Sequence, residues 1–222
     1  MDVLKKFDEV VVATGVTPRI PAIPGIDHPS VMSYAACVAE GRPAGKRVAV
    51  IGAGGIGVDV AEFLLNATSP TLDLAQWQQE WGVTDPSRSP GGLTRPFVEP
   101  SSREVYLLQR KDSGIGRGLG KTTGWVHRAA LKAKGVQQLT GVNYERIDDD
   151  GLHLTFGEER SGARVLDVDT IVVCAGQESV DVLSHGLRAE GVTTHVIGGA
   201  DVAVELDAKR AIRQGTEVAA AI

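Results

Sequence analysis

Apolar residues in this chain come in short unbroken runs, and several of the runs end in glycine. Val48-Ala49-Val50-Ile51 is followed at once by Gly52, and Val10-Val11-Val12-Ala13-Thr14 by Gly15. Ile171-Val172-Val173-Cys174-Ala175 leads into Gly176, and Val196-Ile197 into Gly198-Gly199-Ala200-Asp201. Runs of four to eight apolar residues bounded by turn residues predict buried strands. Glu104–Leu108 and Val136–Leu139 predict two more strands, parallel to the one at 48–51. Helical spacing predicts a short helix over Ser33–Glu40, an apolar one over Val58–Leu65 and one over Thr123–Lys134 that Gly135 caps. Val142–Ile147 and Leu152–Phe156 predict a hairpin turning at Asp148-Asp149-Asp150-Gly151. Leu206–Ile222 predicts a closing helix whose small-residue face packs on a sheet. Strands alternating with helices make the expected fold class α/β, with a parallel sheet.

The strand at 48–51 runs into Gly52-Ala53-Gly54-Gly55-Ile56-Gly57, and the helix beginning at Val58 follows. A lone Gly-x-Gly-x-x-Gly means little. Between a strand and a helix it is the fingerprint of a dinucleotide-binding βαβ unit. Gly52 makes the tight turn, Gly54 lets backbone approach a pyrophosphate, and Gly57 lets helix and strand pack closely. The helix N-terminus offers unpaired N–H groups and a partial positive charge to phosphates.

The residue that selects the cofactor ends the next strand. Here Glu104–Leu108 ends in Gln109-Arg110-Lys111, where an NAD-binding unit carries Asp or Glu for the ribose hydroxyls. Two cations predict a 2′-phosphate, hence NADPH, with Arg110 gripping bidentately and Lys111 adding a mobile charge. An insert at about 66–102 separates this strand from the glycine loop. It holds five prolines (Pro70, Pro86, Pro90, Pro96, Pro100) and a predicted amphipathic helix over Leu72–Trp81. Trp77 and Trp81 share a face of that helix. The sequence leaves open whether they staple the insert down or stack on a small molecule.

Composition narrows the function classes. Glycine is 27 of 222 residues, hydrophobic content is 42%, and the net charge is −5. That balance disfavours a nucleic-acid or polybasic membrane-binding role. No apolar run reaches the ~18 residues a membrane span needs. Met1-Asp2-Val3-Leu4-Lys5-Lys6 lacks a signal core, so a cytoplasmic setting is expected. The two cysteines, Cys37 and Cys174, make no Cys-x-x-Cys. They are expected to be buried free thiols, with no iron–sulfur cluster held within this chain. The five histidines are dispersed, and neither they nor the Asp148–Asp150 run is assigned a metal.

The chain resembles the bacterial 2,4-dienoyl-CoA reductase family, related to trimethylamine dehydrogenase and old yellow enzyme. The resemblance rests on Ala13-Thr14-Gly15-Val16-Thr17-Pro18-Arg19, Pro24–Pro29, the glycine fingerprint, Leu119-Gly120-Lys121-Thr122-Thr123-Gly124-Trp125-Val126-His127-Arg128, Glu80-Trp81-Gly82 and Ile197–Ala208. It implies a two-dinucleotide-binding-domain flavoprotein, with a Rossmann-like NADPH-binding domain (46–167) inserted in a partial FAD-binding domain (1–45 and 168–222). It implies FAD contacts at Thr14, Gly15, Ala175, Gly176, Gly199, Ala200 and Asp201. The FAD unit's own glycine loop, and a barrel with FMN and an iron–sulfur cluster, are implied upstream as partners of this chain. Local chemistry is then hydride delivery from NADPH to FAD, with no catalytic acid or nucleophile here, and the chain alone is expected to be inactive. One departure is Gln177-Glu178-Ser179-Val180, where such proteins carry Pro-Asn after Glu; a looser turn is expected.

Other readings remain. Gly120-Lys121-Thr122 suggests a P-loop, but Ile115 stands where that motif needs glycine. A thiol-disulfide flavoreductase lacks its cysteine pair here. A non-catalytic nucleotide-binding module, or a generic pyridine-nucleotide flavoreductase fragment, is the standing alternative.

Overall fold

A computed structural model describes residues 3–204 and 206–222. Met1 and Asp2 of the N-terminal run, and Glu205 of the closing motif, lie outside them. In chain order the strands are β1 (Glu9–Val12), β2 (Val16–Pro18), β3 (Val31–Ser33), β4 (Arg47–Ile51), β5 (Glu104–Leu108), β6 (Gln137–Leu139), β7 (Val142–Asp148), β8 (Gly151–Phe156), β9 (Ser161–Leu166), β10 (Thr170–Val173), β11 (Gln177–Ser179) and β12 (Thr193–Val196). The helices are α1 (Tyr34–Val38), α2 (Gly55–Leu65), α3 (Leu74–Trp81), α4 (Gly124–Ala133), α5 (Val182–Ala189) and α6 (Ala208–Ala219). The chain divides into two compact units, residues 20–175 and residues 1–19 with 176–222.

The unit of residues 20–175 is built on a five-stranded sheet in the order β3-β10-β4-β5-β6, parallel throughout. β4 is central, and Val48, Ala49, Val50 and Ile51 are all buried. Alternate residues serve opposite faces, which explains the unbroken apolar run. Val48 and Val50 join Val58, Ala61 and Leu64 of α2, Leu131 of α4 and Cys37 of α1 in one core cluster. Ala49 and Ile51 join a second cluster with Ile171, Val142, Leu152 and Leu154. The antiparallel sheet β7-β8-β9 supplies much of that second cover. At the N-terminal edge, Asp169 accepts from the backbone N–H of Lys46 and Arg47 at 3.0 and 2.8 Å and pairs with the Arg47 guanidinium at 2.8 Å. The guanidinium holds the Asp169 carboxyl below its usual range.

Segments 20–45 and 168–175 thus share this sheet with the glycine loop. β10 lies between β3 and β4, in register Thr170↔Val48 through Val173↔Ile51.

The insert is organised. Asp73 caps α3 by accepting from Gln76 N at 3.1 Å, and Gly82 ends it in the left-handed conformation (φ 65°). Phe97 N bonds Gln79 O at 2.9 Å. Glu80 pairs at 2.8 Å with Lys134, the residue just past α4, and both side chains are nine-tenths buried. Lys134 Nζ also donates to Glu99 O at 3.1 Å.

In the other unit, β1 and β12 form a two-stranded parallel sheet, and β2 pairs antiparallel with β11. Val12, Leu187 and Ala200 make its buried cluster. Two expectations fail here. The closing helix forms as α6, but none of its residues is buried. The ties seen for it run to the turn after β12, where Gln214 Oε1 accepts from Gly198 N at 2.8 Å and Arg210 donates to Gly198 O at 3.1 Å. The segment Gln177-Glu178-Ser179-Val180 is also not loosened by the missing proline. β11 is held by β2, and Val180 N bonds Gly15 O at 3.0 Å.

Candidate cofactor site

Gly52 sits just beyond β4 with φ 105°, and its N–H bonds Leu108 O at 2.9 Å. A Cβ there would meet Cys174 O at 2.4 Å. At Gly57 a Cβ would lie 1.8 Å from Gly52 O, so helix α2 approaches the turn as closely as backbone allows. Gly54 and Gly55 differ, since a Cβ at either meets nothing within 4 Å. Gly54 is the N-cap of α2, is exposed, and lacks a side-chain cap. Ala53 and Ile56 are partly buried beside it and pack on the core. The first-turn N–H groups of α2 have no intrahelical partner, and no acidic side chain stands in that turn.

β5 lies next to β4 with Leu108 opposite Ile51. The residues after β5 therefore emerge beside the glycine loop at the C-terminal edge of the sheet, where ligands of open α/β sheets bind. Arg110 and Lys111 are exposed there. Neither makes an ion pair within 4.0 Å among those found in the described residues. Gln109 has another task. Its Nε2 donates to Lys111 O at 3.0 Å and to Ser113 O, so it shapes the turn that presents the two cations. Asp112, the nearest acid in sequence, accepts from Thr140 Oγ1 at 3.3 Å. Sequence reading missed Tyr144. It lies within electrostatic reach of Arg110, its hydroxyl is buried without a partner, and burial pushes its ionisation well up. Its place on β7 carries no motif that would have announced it.

The remaining predicted positions fall around two loops. Ala175 follows β10 and packs on the second core cluster. Gly176 has φ 107°, and its carbonyl accepts from Arg19 N at 3.1 Å. Thr14 and Gly15 follow β1, and the Thr14 hydroxyl donates to Val180 O. Gly199 presses on this stretch, since a Cβ on it would lie 2.8 Å from Val16 Cγ1 and 3.2 Å from Gly15 Cα. The structure thus brings Gly15 and Gly199 together across β1 and β12. Ala200 is 1% exposed, so its methyl belongs to the core. Asp201 is exposed, and its Oδ2 accepts from Gln214 Nε2 at 3.0 Å.

Both cysteines are free and buried, and burial raises both thiols, Cys174 to about 12. Asp148, Asp150 and His153 stand close enough to surround a cation. Hydrogen bonds from Arg146 at 2.7 Å and His153 at 2.7 Å already engage Asp148 and hold its carboxyl down at about 2, so the cluster reads as a hydrogen-bonded turn. Among the described residues no helix is long and apolar enough to cross a membrane.

The model of the pyridine nucleotide-disulphide oxidoreductase family matches residues 4–209. The chain belongs to that family. A metal reductase of Desulforamulus reducens is 28% identical over 195 residues, covering 88% of this chain and 28% of the relative. Among solved structures, a complex of 2-naphthoyl-CoA reductase with 2-naphthoyl-CoA superposes with a TM-score of 0.72 at 21% identity, covering 97% of this chain and 27% of that one. Histamine dehydrogenase from Rhizobium sp. 4-9 superposes at 0.68 and 16% identity, over 98% of this chain and 31% of that one. These two likenesses are of fold. The chain spans less than a third of each of these three proteins. Membership makes it a pyridine-nucleotide oxidoreductase module, with the α/β dinucleotide-binding fold expected from its sequence.

Proposed function

We propose that this chain is the NADPH-binding and hydride-delivery portion of a flavin-dependent reductase of the 2,4-dienoyl-CoA reductase type, acting on unsaturated fatty acyl thioesters in β-oxidation. The observation that carries the nucleotide half of this reading is the pairing of an open Gly54 with two exposed cations one strand away. Packing explains the glycines at 52 and 57, because side chains there would strike backbone. Among the described residues nothing requires glycine at 54, and a close-lying pyrophosphate would. The residues therefore fit the dinucleotide. α2 receives the pyrophosphate on its N–H groups, and Arg110 and Lys111 take the 2′-phosphate of the adenosine ribose.

When bound, NADPH supplies a hydride and FAD accepts it; the protein supplies binding and orientation. In this reading NADPH belongs to residues 46–167, and FAD to residues 1–45 with 168–222. Thr14 and Gly15 line the flavin side together with Gly199. Gly176, whose carbonyl accepts from Arg19 N, belongs to that side as well. The Asp201 oxygen not bonded to Gln214 accepts a ribitol hydroxyl. Ala200 acts by packing, and any contact it makes is through backbone. FMN, the iron–sulfur cluster and the acyl substrate fall to the upstream barrel.

Arg110→Ala tests the assignment. Loss of a bidentate phosphate contact corresponds to roughly 1.5–3 kcal/mol. NADPH should therefore bind about tenfold or more weaker, while NADH is nearly unchanged. Equal losses for both nucleotides by calorimetry would remove the 2′-phosphate from this edge.

A further inference from the structure

The insert encloses a cavity of about 420 Å³ against the helix layer of the unit of residues 20–175. Its walls are Trp77 and Trp81 of α3, Leu65 of α2, and Val126, Ala130 and Ala133 of α4. The volume lies in the ~300–1,000 Å³ range of small-molecule pockets, and so does its make-up, apolar with a few fixed polar groups. The tryptophan rings lie 6.5 Å apart, tilted by 33°, and both are only partly buried. A staple would bury them; here they border open space. The alanines of α4 leave room opposite the rings.

The polar groups in the wall are already paired. Lys134 satisfies Glu80. His127 Nδ1 lies 2.9 Å from Glu62 Oε1, and since a carboxylate only accepts, that nitrogen donates. In the neutral ring Nε2 is then left as an acceptor. The Glu80 charge is met by Lys134 and the Glu62 carboxylate is engaged by His127, and the rest of the wall is largely apolar, which suits an uncharged ligand.

We propose that this cavity is a binding site for a neutral planar aromatic molecule carrying one N–H or O–H donor. The rings stack on Trp77 and Trp81, and the donor meets His127 Nε2. Glu62 and Leu65 place the site at the C-terminal end of α2, about 15 Å along the helix from the glycine loop. Both ligands therefore fit at once, and the site does not depend on the dinucleotide reading.

Indole is the probe, titrated into the 222-residue chain by calorimetry with and without NADPH. Saturable binding with Kd on the order of 0.1 mM is expected for so small a ligand, with NADPH affinity unchanged. Trp77→Ala should weaken indole at least tenfold. Because that change could disturb the insert, Ala130→Met provides the second arm, filling the cavity from a helix position that tolerates methionine. It should abolish indole binding and leave the circular dichroism and melting temperature as in wild type. The absence of saturable binding to wild type overturns the proposal. Indole binding that survives Ala130→Met overturns it as well.

Discussion

At the residue scale, the four glycine positions of the loop divide by what surrounds them. A methyl at Gly57 would sit 1.8 Å from the Gly52 carbonyl, which belongs to backbone and cannot rotate away. Gly57→Ala should therefore destabilise the unit by about 1–3 kcal/mol or more, read as a lower urea midpoint. Gly54→Val adds a side chain in open space, at an extended backbone geometry (φ −76°, ψ −172°) that valine adopts freely. It should keep wild-type circular dichroism and lose NADPH binding. Undiminished binding would put the dinucleotide elsewhere. The cysteines make a separate prediction. Raised by burial, both thiols stay protonated at mildly alkaline pH and out of solvent. A thiol reagent should titrate close to none in the native chain and two in denaturant. Fast native labelling would mean that the core around Cys37 and Cys174 opens readily.

At the element scale, the legible parts were those whose signal is local. Strand β4, the glycine loop and α2 announce themselves in one continuous stretch. α3 and α4 carry their own caps, Asp73 with Gly82 and then Gly135 (φ 75°). β9 was not legible because Ser161-Gly162-Ala163-Arg164-Val165 is exposed and lacks alternation; its pairing with β8 makes it a strand. α5 was also missed, since Ser184 and Leu187 are its only buried residues. The Glu80–Lys134 pair lies beyond local signals too, joining residues 54 apart in sequence. Breaking it tests how firmly the insert is held. Lys134→Met leaves the Glu80 carboxylate buried and unpaired, which should cost about 3–5 kcal/mol. The double change Lys134→Met with Glu80→Leu should recover most of that stability. A single variant as stable as wild type would show the insert to be loosely attached.

At the scale of the whole molecule, the sequence marks β10 and β1 as separate strands but not which sheet each joins, and β3 (Val31–Ser33) was not legible in it at all. Parallel pairing is non-local, and nothing in Val31-Met32-Ser33 names Ile171–Val173 as its neighbour. The flavin side carries the larger consequence. A two-stranded parallel sheet is a poor base for a folded unit, because crossover-linked sheets are stable only with both faces covered. In the unit of residues 1–19 and 176–222, no residue of α6 is fully buried. Val11, Val202, Leu206 and Ile212 are exposed by 43%, 44%, 42% and 68%. Under the proposed function, such apolar surface would be covered by strands of the rest of the flavin domain, whose glycine loop would hold the FAD pyrophosphate. The 222 residues alone should therefore bind FAD weakly or not at all and reduce no dienoyl thioester, while still binding NADPH. Adding the upstream part should restore the flavin and the activity and should protect β1, β12 and α6 from amide exchange. The visible spectrum of the purified chain decides the matter. A full equivalent of bound FAD, with α6 already protected, would show that the flavin site is complete in these residues and needs no upstream strands.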